Sequence, residues 1–179
     1  SPINPSISPK YSCINTPNES MIQGVIAAAE ELQTPLIIDH AEVHDSFLPI
    51  ERIGPSMIEA AKNASVPICV HLDHGSSYSF VMCALRVGFT SIMYDLSACP
   101  FEENKSKLRE FTKLAHDLNI TVEGELGVMH SGKGDTHGGE EVDDIAGSYT
   151  DPDMAAEFAY ETGLDALAVC FGTLHGVYD

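Results

Sequence analysis

Basic residues are scarce in this chain. Nine Lys and Arg stand against 27 Asp and Glu among 179 residues, so the formal net charge is −18 at pH 7. Proteins that bind nucleic acid or anionic lipid surfaces do so through clustered Lys and Arg. The shortage therefore predicts that neither nucleic acid nor a membrane is a partner.

Long apolar runs and paired cysteines are also missing. No run of 18 apolar residues occurs, so the sequence predicts no membrane-spanning helix. The opening Ser-Pro-Ile-Asn-Pro lacks the basic stretch and apolar core of a secretory signal, and we expect no signal peptide. The five cysteines form no Cys-x-x-Cys pair, and several lie inside apolar stretches, as is typical of reduced thiols in a cytoplasmic protein.

Short apolar strands alternate with helical segments along the chain. The pattern predicts strands at 11–15, 35–39, 67–72, 90–94, 120–125 and 166–171, and helices at 16–32, 55–64, 78–87, 101–118 and 152–162. A capping box, Thr16-Pro17-Asn18-Glu19, is expected to open the first helix. Because the strands are apolar on both faces, we expect a parallel sheet, either a closed barrel or an open doubly wound sheet.

Polar residues at the predicted strand ends favour the barrel. Ionisable side chains follow strands two to six at Asp39, Asp73, Asp95, Glu125 and His175. In a (β/α)8 TIM barrel these ends meet at the active site, whereas in an open sheet they would not all converge. No Gly-x-Gly-x-x-Gly follows the first strand, so nothing favours a dinucleotide site. We therefore expect an α/β fold, a TIM barrel of which about six β–α units are present.

The most informative stretch is His71-Leu72-Asp73-His74-Gly75. Along a strand, His71 and Asp73 point to one face and Leu72 to the other, while His74 follows the regular part at the Gly75 turn. A carboxylate beside an imidazole suits metal-assisted carbonyl chemistry. The alternative is that this histidine and aspartate have no catalytic role and only cap the helix that follows the strand. The sequence would be the same in both cases.

The remaining histidines carry weaker signals. His40 and His44 are spaced i, i+4, but no apolar periodicity supports a helix there, so we interpret them as surface residues rather than a metal pair. His116 is interpreted as structural, and His130 and His137 as exposed residues of a glycine-rich segment.

Seven motifs, in this order, resemble the class II (metal-dependent) fructose-bisphosphate and tagatose-bisphosphate aldolases, and the similarity runs from about Lys10 to Tyr178. The motifs are VHLDHG at 70–75, SIMYDLS at 91–97, PFEEN at 100–104, VEGELG at 122–127, GGEE at 138–141, YTDP at 149–152 and AVCFGTLHGVY at 168–178. The resemblance implies a single aldolase-type barrel domain over 1–179, incomplete at its C-terminal end. Residues 1–179 alone are expected to show no aldolase activity.

The resemblance also implies the metal site. His74 and His175 match two of three zinc-binding histidines, and Asp95 and Glu125 match carboxylates that line the metal pocket. The implied cofactor is Zn²⁺ or another divalent ion, with a monovalent cation as a further candidate. The absence of a lysine at any predicted strand end agrees with metal chemistry, because a Schiff base would need that nucleophile.

For catalysis, the resemblance implies that Asp73 exchanges the proton of the C4 hydroxyl and that Glu141 moves the proton at C3. Asn15 and Gly176 match substrate-binding positions, and the segment 127–148 is expected to act as a lid that carries Glu141. The implied reaction is reversible retro-aldol cleavage of a ketose 1,6-bisphosphate, of the fructose or tagatose type, to dihydroxyacetone phosphate and an aldehyde.

The expected setting is carbohydrate metabolism (glycolysis) in the cytoplasm, with a phosphorylated ketose as partner and a homodimer or homotetramer as assembly.

Two departures from the family pattern keep alternative functions open: Ala41 stands where many relatives carry serine, and Asp179 where some carry lysine near a phosphate. The alternatives are a catalytically inactive aldolase-like binding or regulatory protein, and another barrel metalloenzyme such as a zinc hydrolase.

Overall fold

The computed structural model describes residues 11–127 and 149–172. Within these ranges the chain alternates strands and helices. In chain order the elements are β1 (Ser12–Asn15), α1 (Glu19–Glu31), β2 (Leu36–Ala41), a 3-10 helix (Glu42–Ser46), α2 (Ile50–Asn63), β3 (Ile68–Gly75), α3 (Tyr78–Val87), β4 (Ser91–Tyr94), α4 (Phe101–Asp117), β5 (Thr121–Leu126), α5 (Pro152–Thr162) and β6 (Ala166–Val169).

All six strands form one parallel sheet whose spatial order, β1-β2-β3-β4-β5-β6, follows the chain. A doubly wound sheet reverses its strand order at a switch point, whereas a barrel adds each strand beside the last. The prediction of a parallel α/β sheet of barrel type is therefore confirmed, as a six-stranded half-barrel.

The two faces of the sheet are chemically different. Toward the helices, the fully buried Ile38, Leu72, Ile92 and Val122 join one apolar core with the inner faces of α1 to α5. The opposite face lines a cavity of about 450 Å³ whose walls include Cys13, Asn15, Asp39, His71, Asp73, Ser91 and Glu123. Strand alternation thus sends apolar side chains outward and polar ones inward.

The capping residue predicted for α1 was wrong. Asn18, not Thr16, is the N-cap, and its Oδ1 accepts a hydrogen bond from Met21 N at 3.0 Å. Thr16 is buried instead, and its N–H and hydroxyl both donate to the Asp39 carbonyl, at 3.1 and 3.3 Å. Thr16 therefore ties the end of β1 to β2. At α5 the N-cap is Asp151, whose Oδ1 accepts from the N–H groups of Asp153 and Met154.

The predicted start of α2 at Pro55 was also wrong, because the helix begins five residues earlier, at Ile50. The Ile50 N–H donates to Asp45 Oδ1 at 2.7 Å, and Ile50, Ile53 and Met57 bury one apolar face. Burial of this face outweighs the backbone hydrogen bond that Pro55 cannot donate inside the helix.

Nowhere in 11–127 or 149–172 is a helix both long and apolar enough to cross a bilayer.

Candidate metal centre and acid–base site

The site begins with an irregularity at the end of β3. The predicted end of this strand at Leu72 was wrong, since the strand continues to Gly75. His74 has a left-handed backbone, with φ of 47°, and the pairing of β3 with β4 changes register between Leu72 and Gly75. In a regular strand Asp73 and His74 would face opposite sides. The irregularity instead leaves His74 Nε2 only 3.8 Å from Asp73 Oδ1.

Three donor atoms from three strand ends converge beside this irregularity. His74 Nδ1 lies 2.8 Å from Asp95 Oδ2 and 4.0 Å from Glu125 Oε2, and one ligand atom of each residue lies within 4.8 Å of the others. An imidazole nitrogen and two carboxylate oxygens are ligands that Zn²⁺ and similar divalent ions accept. The structure therefore places three of the four predicted metal-site residues together.

The electrostatics of the cluster favour a positive charge. Burial alone would lower the pKa of His74, but the hydrogen bond to Asp95 and the charges of Asp73, Asp95 and Glu125 outweigh it and raise this pKa to about 9. Burial raises the pKa of Asp95, yet the bond from His74 and those from Ser97 leave it below its usual range. A divalent ion would supply the positive charge that a proton on His74 otherwise brings, so these residues fit a metal ion.

Backbone contacts hold both carboxylates in place. The N–H of Asp95 donates to the Gly75 carbonyl at 3.0 Å, while Asp95 Oδ1 accepts from Ser97 N at 2.9 Å. The Glu125 carbonyl accepts from Asn104 Nδ2 at 3.0 Å, which fastens the end of β5 to α4. Asn104 belongs to the PFEEN motif. This motif therefore contacts the candidate metal ligand Glu125 through the backbone carbonyl of that residue.

Asp73 lies next to the metal cluster and is oriented by Asn15. Asn15 Nδ2 donates to Asp73 Oδ2 at 3.0 Å, joining the ends of β1 and β3 across β2. Sequence reasoning expected a substrate contact at Asn15; in this structure the side chain contacts Asp73. The arrangement presents a carboxylate beside a possible ion, as proton transfer next to a polarised carbonyl requires.

A second polar row lies deeper along the strands and was missed by sequence reasoning. His71 Nδ1 lies 2.8 Å from Ser91 Oγ, and its Nε2 lies 3.6 Å from Glu123 Oε2. Burial lowers the pKa of His71 to about 4 and raises that of Glu123 above its usual range. The signal was present in the sequence, because Glu123 stands two residues before Glu125 and so shares its face of β5.

Asp39 belongs to the same inner face. Cys13 Sγ donates to Asp39 Oδ2 at 2.6 Å, and the Asp39 side chain is almost completely buried. Burial raises the pKa of this carboxyl group to about 7, although the bond from Cys13 acts in the opposite direction. Asp39 therefore lines the cavity, as its strand-end position predicted, but takes no part in the metal cluster.

The interpretation of His40 and His44 as surface residues was wrong. His40 faces the helix layer from β2 and is 1% exposed; His44 is also buried, with the two ring centroids 6.1 Å apart. His116 bonds Asp165 through Nε2 at 2.9 Å, so its structural interpretation is confirmed.

Several of the predicted residues lie outside the described ranges. They are His175, Gly176, Glu141, His130, His137, Asp179 and all of the predicted lid except Gly127.

Comparison with known proteins places this chain among aldolases. Residues 10–179 match the family described as fructose-bisphosphate aldolase class-II. The chain is 42% identical to the uncharacterized protein YdjI of Escherichia coli K12, over 92% of this chain and 57% of YdjI. It is 35% identical to the fructose-bisphosphate aldolase of Geobacillus stearothermophilus, over 98% of this chain and 61% of that enzyme.

A solved structure agrees with the sequence comparison. The crystal structure titled YdjI aldolase from Escherichia coli K12 superposes with a TM-score of 0.78 at 36% identity, over 92% of this chain and 57% of that one. The chain thus spans about three fifths of the relatives it matches. With the match over residues 10–179, these similarities show that the chain belongs to the class II fructose-bisphosphate aldolase family.

Proposed function

We propose that this chain is part of a divalent-metal-dependent aldolase that cleaves a ketose 1,6-bisphosphate to dihydroxyacetone phosphate and an aldehyde, and also catalyses the reverse condensation. The six parallel strands are proposed to belong to a closed (β/α)8 barrel, since their sequential order matches six consecutive strands of that fold. Zn²⁺ is the proposed ion, and fructose and tagatose bisphosphates are the proposed substrates.

One observation carries the proposal: a carboxylate lies immediately beside a cluster of metal-ligand type. Asp73 Oδ1 is 3.8 Å from His74 Nε2, while the other ring nitrogen of His74 faces Asp95 and Glu125. A group that moves a substrate proton must lie within reach of the atoms that the ion polarises. Family membership supports the same reaction.

Each residue of the site has a distinct role in this proposal. When bound, the ion supplies Lewis-acid stabilisation of the negative charge that develops on the three-carbon product. Asp73 accepts the C4 hydroxyl proton as the C3–C4 bond breaks and the C4 oxygen becomes the aldehyde carbonyl. The bonding electron pair stays on C3. Asn15 orients Asp73 through the 3.0 Å hydrogen bond.

Further parts of the proposal concern residues outside the described ranges, and the assembly and location of the protein. His175 is proposed as a further histidine ligand, Glu141 as the acid that delivers a proton to C3, and Gly176 as a substrate contact. A homodimer or homotetramer in the cytoplasm, acting in glycolysis or a related part of carbohydrate metabolism, is proposed from the family resemblance.

The test uses the intact protein, meaning the whole aldolase of which this chain is proposed to be a part, stripped of metal with a chelator and then reloaded with Zn²⁺. Release of dihydroxyacetone phosphate is measured with fructose 1,6-bisphosphate and, separately, with tagatose 1,6-bisphosphate. We expect cleavage of at least one substrate by the reloaded protein and none by the stripped protein. Hydrolytic release of phosphate without carbon–carbon cleavage would favour a zinc hydrolase. Ligand binding without turnover would favour the inactive homologue.

A further inference from the structure

Glu42 follows β2 directly and bonds the two serines that follow β3. Its carboxylate accepts four hydrogen bonds, all from two consecutive serines. Oε2 accepts from the N–H and the hydroxyl of Ser76, at 2.5 and 3.0 Å, and from Ser77 N at 3.4 Å; Oε1 accepts from Ser77 Oγ at 3.1 Å. The family motifs in the sequence do not include Glu42.

The position of Glu42 matters because the backbone pairing of β2 and β3 stops there. Ala41 and Asp73 are the last paired residues of these two strands. Glu42 follows Ala41 directly, and Ser76 lies three residues after Asp73. The Glu42 side chain thus continues the connection between the two strands beyond the last pair of the ladder.

Between that last pair and the serines lies His74, whose backbone conformation is unfavourable for a residue with a side chain. A left-handed non-glycine residue persists only where its surroundings hold it. On the β4 side, Asp95 N binds the Gly75 carbonyl at 3.0 Å. On the β2 side, the described contacts that hold the segment after His74 are those of Glu42.

We propose that Glu42 is a positioning residue for the metal site: its bonds to Ser76 and Ser77 hold the end of β3 in the conformation that turns His74 toward Asp95 and Glu125. This inference rests on the proposed function, because it assumes that His74 binds an ion. Partners outside a metal site that orient its ligands contribute measurably to metal affinity.

The test compares two substitutions that separate reach from charge. Glu42→Gln removes the charge but keeps an oxygen and an amide at the same distance, so it can still bond both serines. Glu42→Asp keeps the charge but is one methylene shorter, so its carboxylate no longer reaches them. Zn²⁺ affinity is measured on the intact protein by competition with a chromophoric chelator, and the geometry of the site by the visible absorption of bound Co²⁺.

We expect Glu42→Asp to bind Zn²⁺ about 10- to 100-fold more weakly, as for other residues that orient metal ligands, and to alter the Co²⁺ spectrum. Glu42→Gln should resemble the unsubstituted protein in both measurements. A matched control is Glu30→Asp, because Glu30 accepts a hydrogen bond from Ser65 N at 2.6 Å near the opposite end of β3. This control should leave Zn²⁺ affinity unchanged.

Two results would overturn the inference about Glu42: Zn²⁺ affinity in Glu42→Asp equal to that of the unsubstituted protein, or affinity in Glu42→Gln as low as in Glu42→Asp. The second result would mean that charge, not position, matters. Failure of the unsubstituted protein to bind Zn²⁺ or Co²⁺ would contradict the proposed function itself, and the role of Glu42 with it. The two failures are therefore distinguishable.

Discussion

Asp73 is the residue on which the proposed chemistry depends most directly. It belongs to the inner face of β3, and its two carboxylate oxygens face different neighbours: Asn15 at 3.0 Å and the His74 ring at 3.8 Å. A carboxylate with one oxygen held by an amide has a defined direction, so the other oxygen is presented toward Nε2 of His74, the histidine of the candidate metal cluster. This orientation is what a proton-transfer group requires.

Replacing Asp73 with Asn tests its role. The amide has nearly the same shape but cannot accept the C4 hydroxyl proton, so we expect kcat for cleavage to fall about 10²- to 10⁴-fold. Exchange of the C3 proton of dihydroxyacetone phosphate with solvent should persist, because that step is assigned to a different acid. Both rates are measured on the metal-loaded intact protein.

The control for this experiment is Asp165→Asn. It makes the same chemical change at the start of β6, away from the strand ends that bear the site, and should leave cleavage essentially unchanged. Equal loss of cleavage and of C3 proton exchange in Asp73→Asn would argue against a role restricted to C4.

At this scale the sequence predicted which side chains lie together but not which groups they contact. The convergence of Asp73, Asp95 and Glu125 was predictable because the strand ends of a barrel meet at one rim, whereas the metal-binding role of His74 was implied by the family resemblance and stays a prediction. The bond between Asn15 and Asp73 was not predictable, since it depends on the register of β1 against β2 and of β2 against β3. Local sequence patterns do not encode that register.

Among the elements, β3 shows how packing limits what the chain can carry. Gly75 ends this strand, and a Cβ added there would lie 2.7 Å from Leu72 Cδ2, 2.9 Å from Val81 Cγ2 and 3.1 Å from the Met93 carbonyl oxygen. Two of these atoms are methyl ends of side chains, which would have to shift, and the third belongs to the backbone of β4. A side chain at position 75 would therefore overpack this point of the fold.

Gly75→Ala is therefore expected to lower the free energy of unfolding by about 1–3 kcal/mol, as for other overpacked positions. The matched substitution is Gly24→Ala in α1, where an added Cβ meets nothing within 4 Å. This change should raise the free energy of unfolding by about 0.5–1 kcal/mol, because alanine is the better helix former. Denaturant unfolding of the intact protein measures both, and a Gly75→Ala protein as stable as the parent would contradict the packing argument.

The elements themselves were largely predictable, and the exceptions have physical causes. Helices α3, α4 and α5 agree with the prediction to within a residue because apolar periodicity and caps point the same way. The start of α2 was missed because Pro55 is a reliable helix-start signal that tertiary burial overrides here. The extension of β3 to Gly75 was missed because no sequence signal marks His74 as left-handed.

For the molecule as a whole, the two ends of the half-barrel have different roles. The carboxyl ends of the strands carry the candidate metal cluster, while the opposite end carries contacts that join neighbouring units. There Asp165 Oδ2 accepts from Val122 N at 2.8 Å and from His116 Nε2 at 2.9 Å, linking β5, β6 and the end of α4. This division agrees with the general pattern of barrels, in which one end serves catalysis and the other stability.

Asp165 predicts a dependence of stability on pH. Burial raises its pKa, but the hydrogen bonds from Val122 and His116 outweigh burial and lower it below the usual 3.8. Because the folded-state pKa is the lower one, the stabilisation is present above about pH 4 and is lost as the pH falls through the folded-state value. The side chain is 41% exposed, so we expect a contribution of only about 0.5–1 kcal/mol.

The measurement is the free energy of unfolding of the parent and of Asp165→Asn across this pH range. Asn keeps both hydrogen-bond acceptor contacts but does not titrate. The parent should be the more stable protein near pH 5, and the difference should shrink toward pH 3. A difference that stays constant, or that grows, between pH 5 and pH 3 would contradict the assigned cause.

The irregular end of β3 has a consequence for how such proteins can diverge. Two neighbours in the chain, Asp73 and His74, bring side-chain atoms to within 3.8 Å of each other only because the pairing of β3 with β4 shifts register between Leu72 and Gly75. A substitution there alters one side chain, but an insertion or deletion of one residue would invert inside and outside for everything up to the next turn. Along this short stretch the number of residues is therefore constrained more tightly than their identity. We expect related sequences to differ there by substitutions before they differ by insertions or deletions.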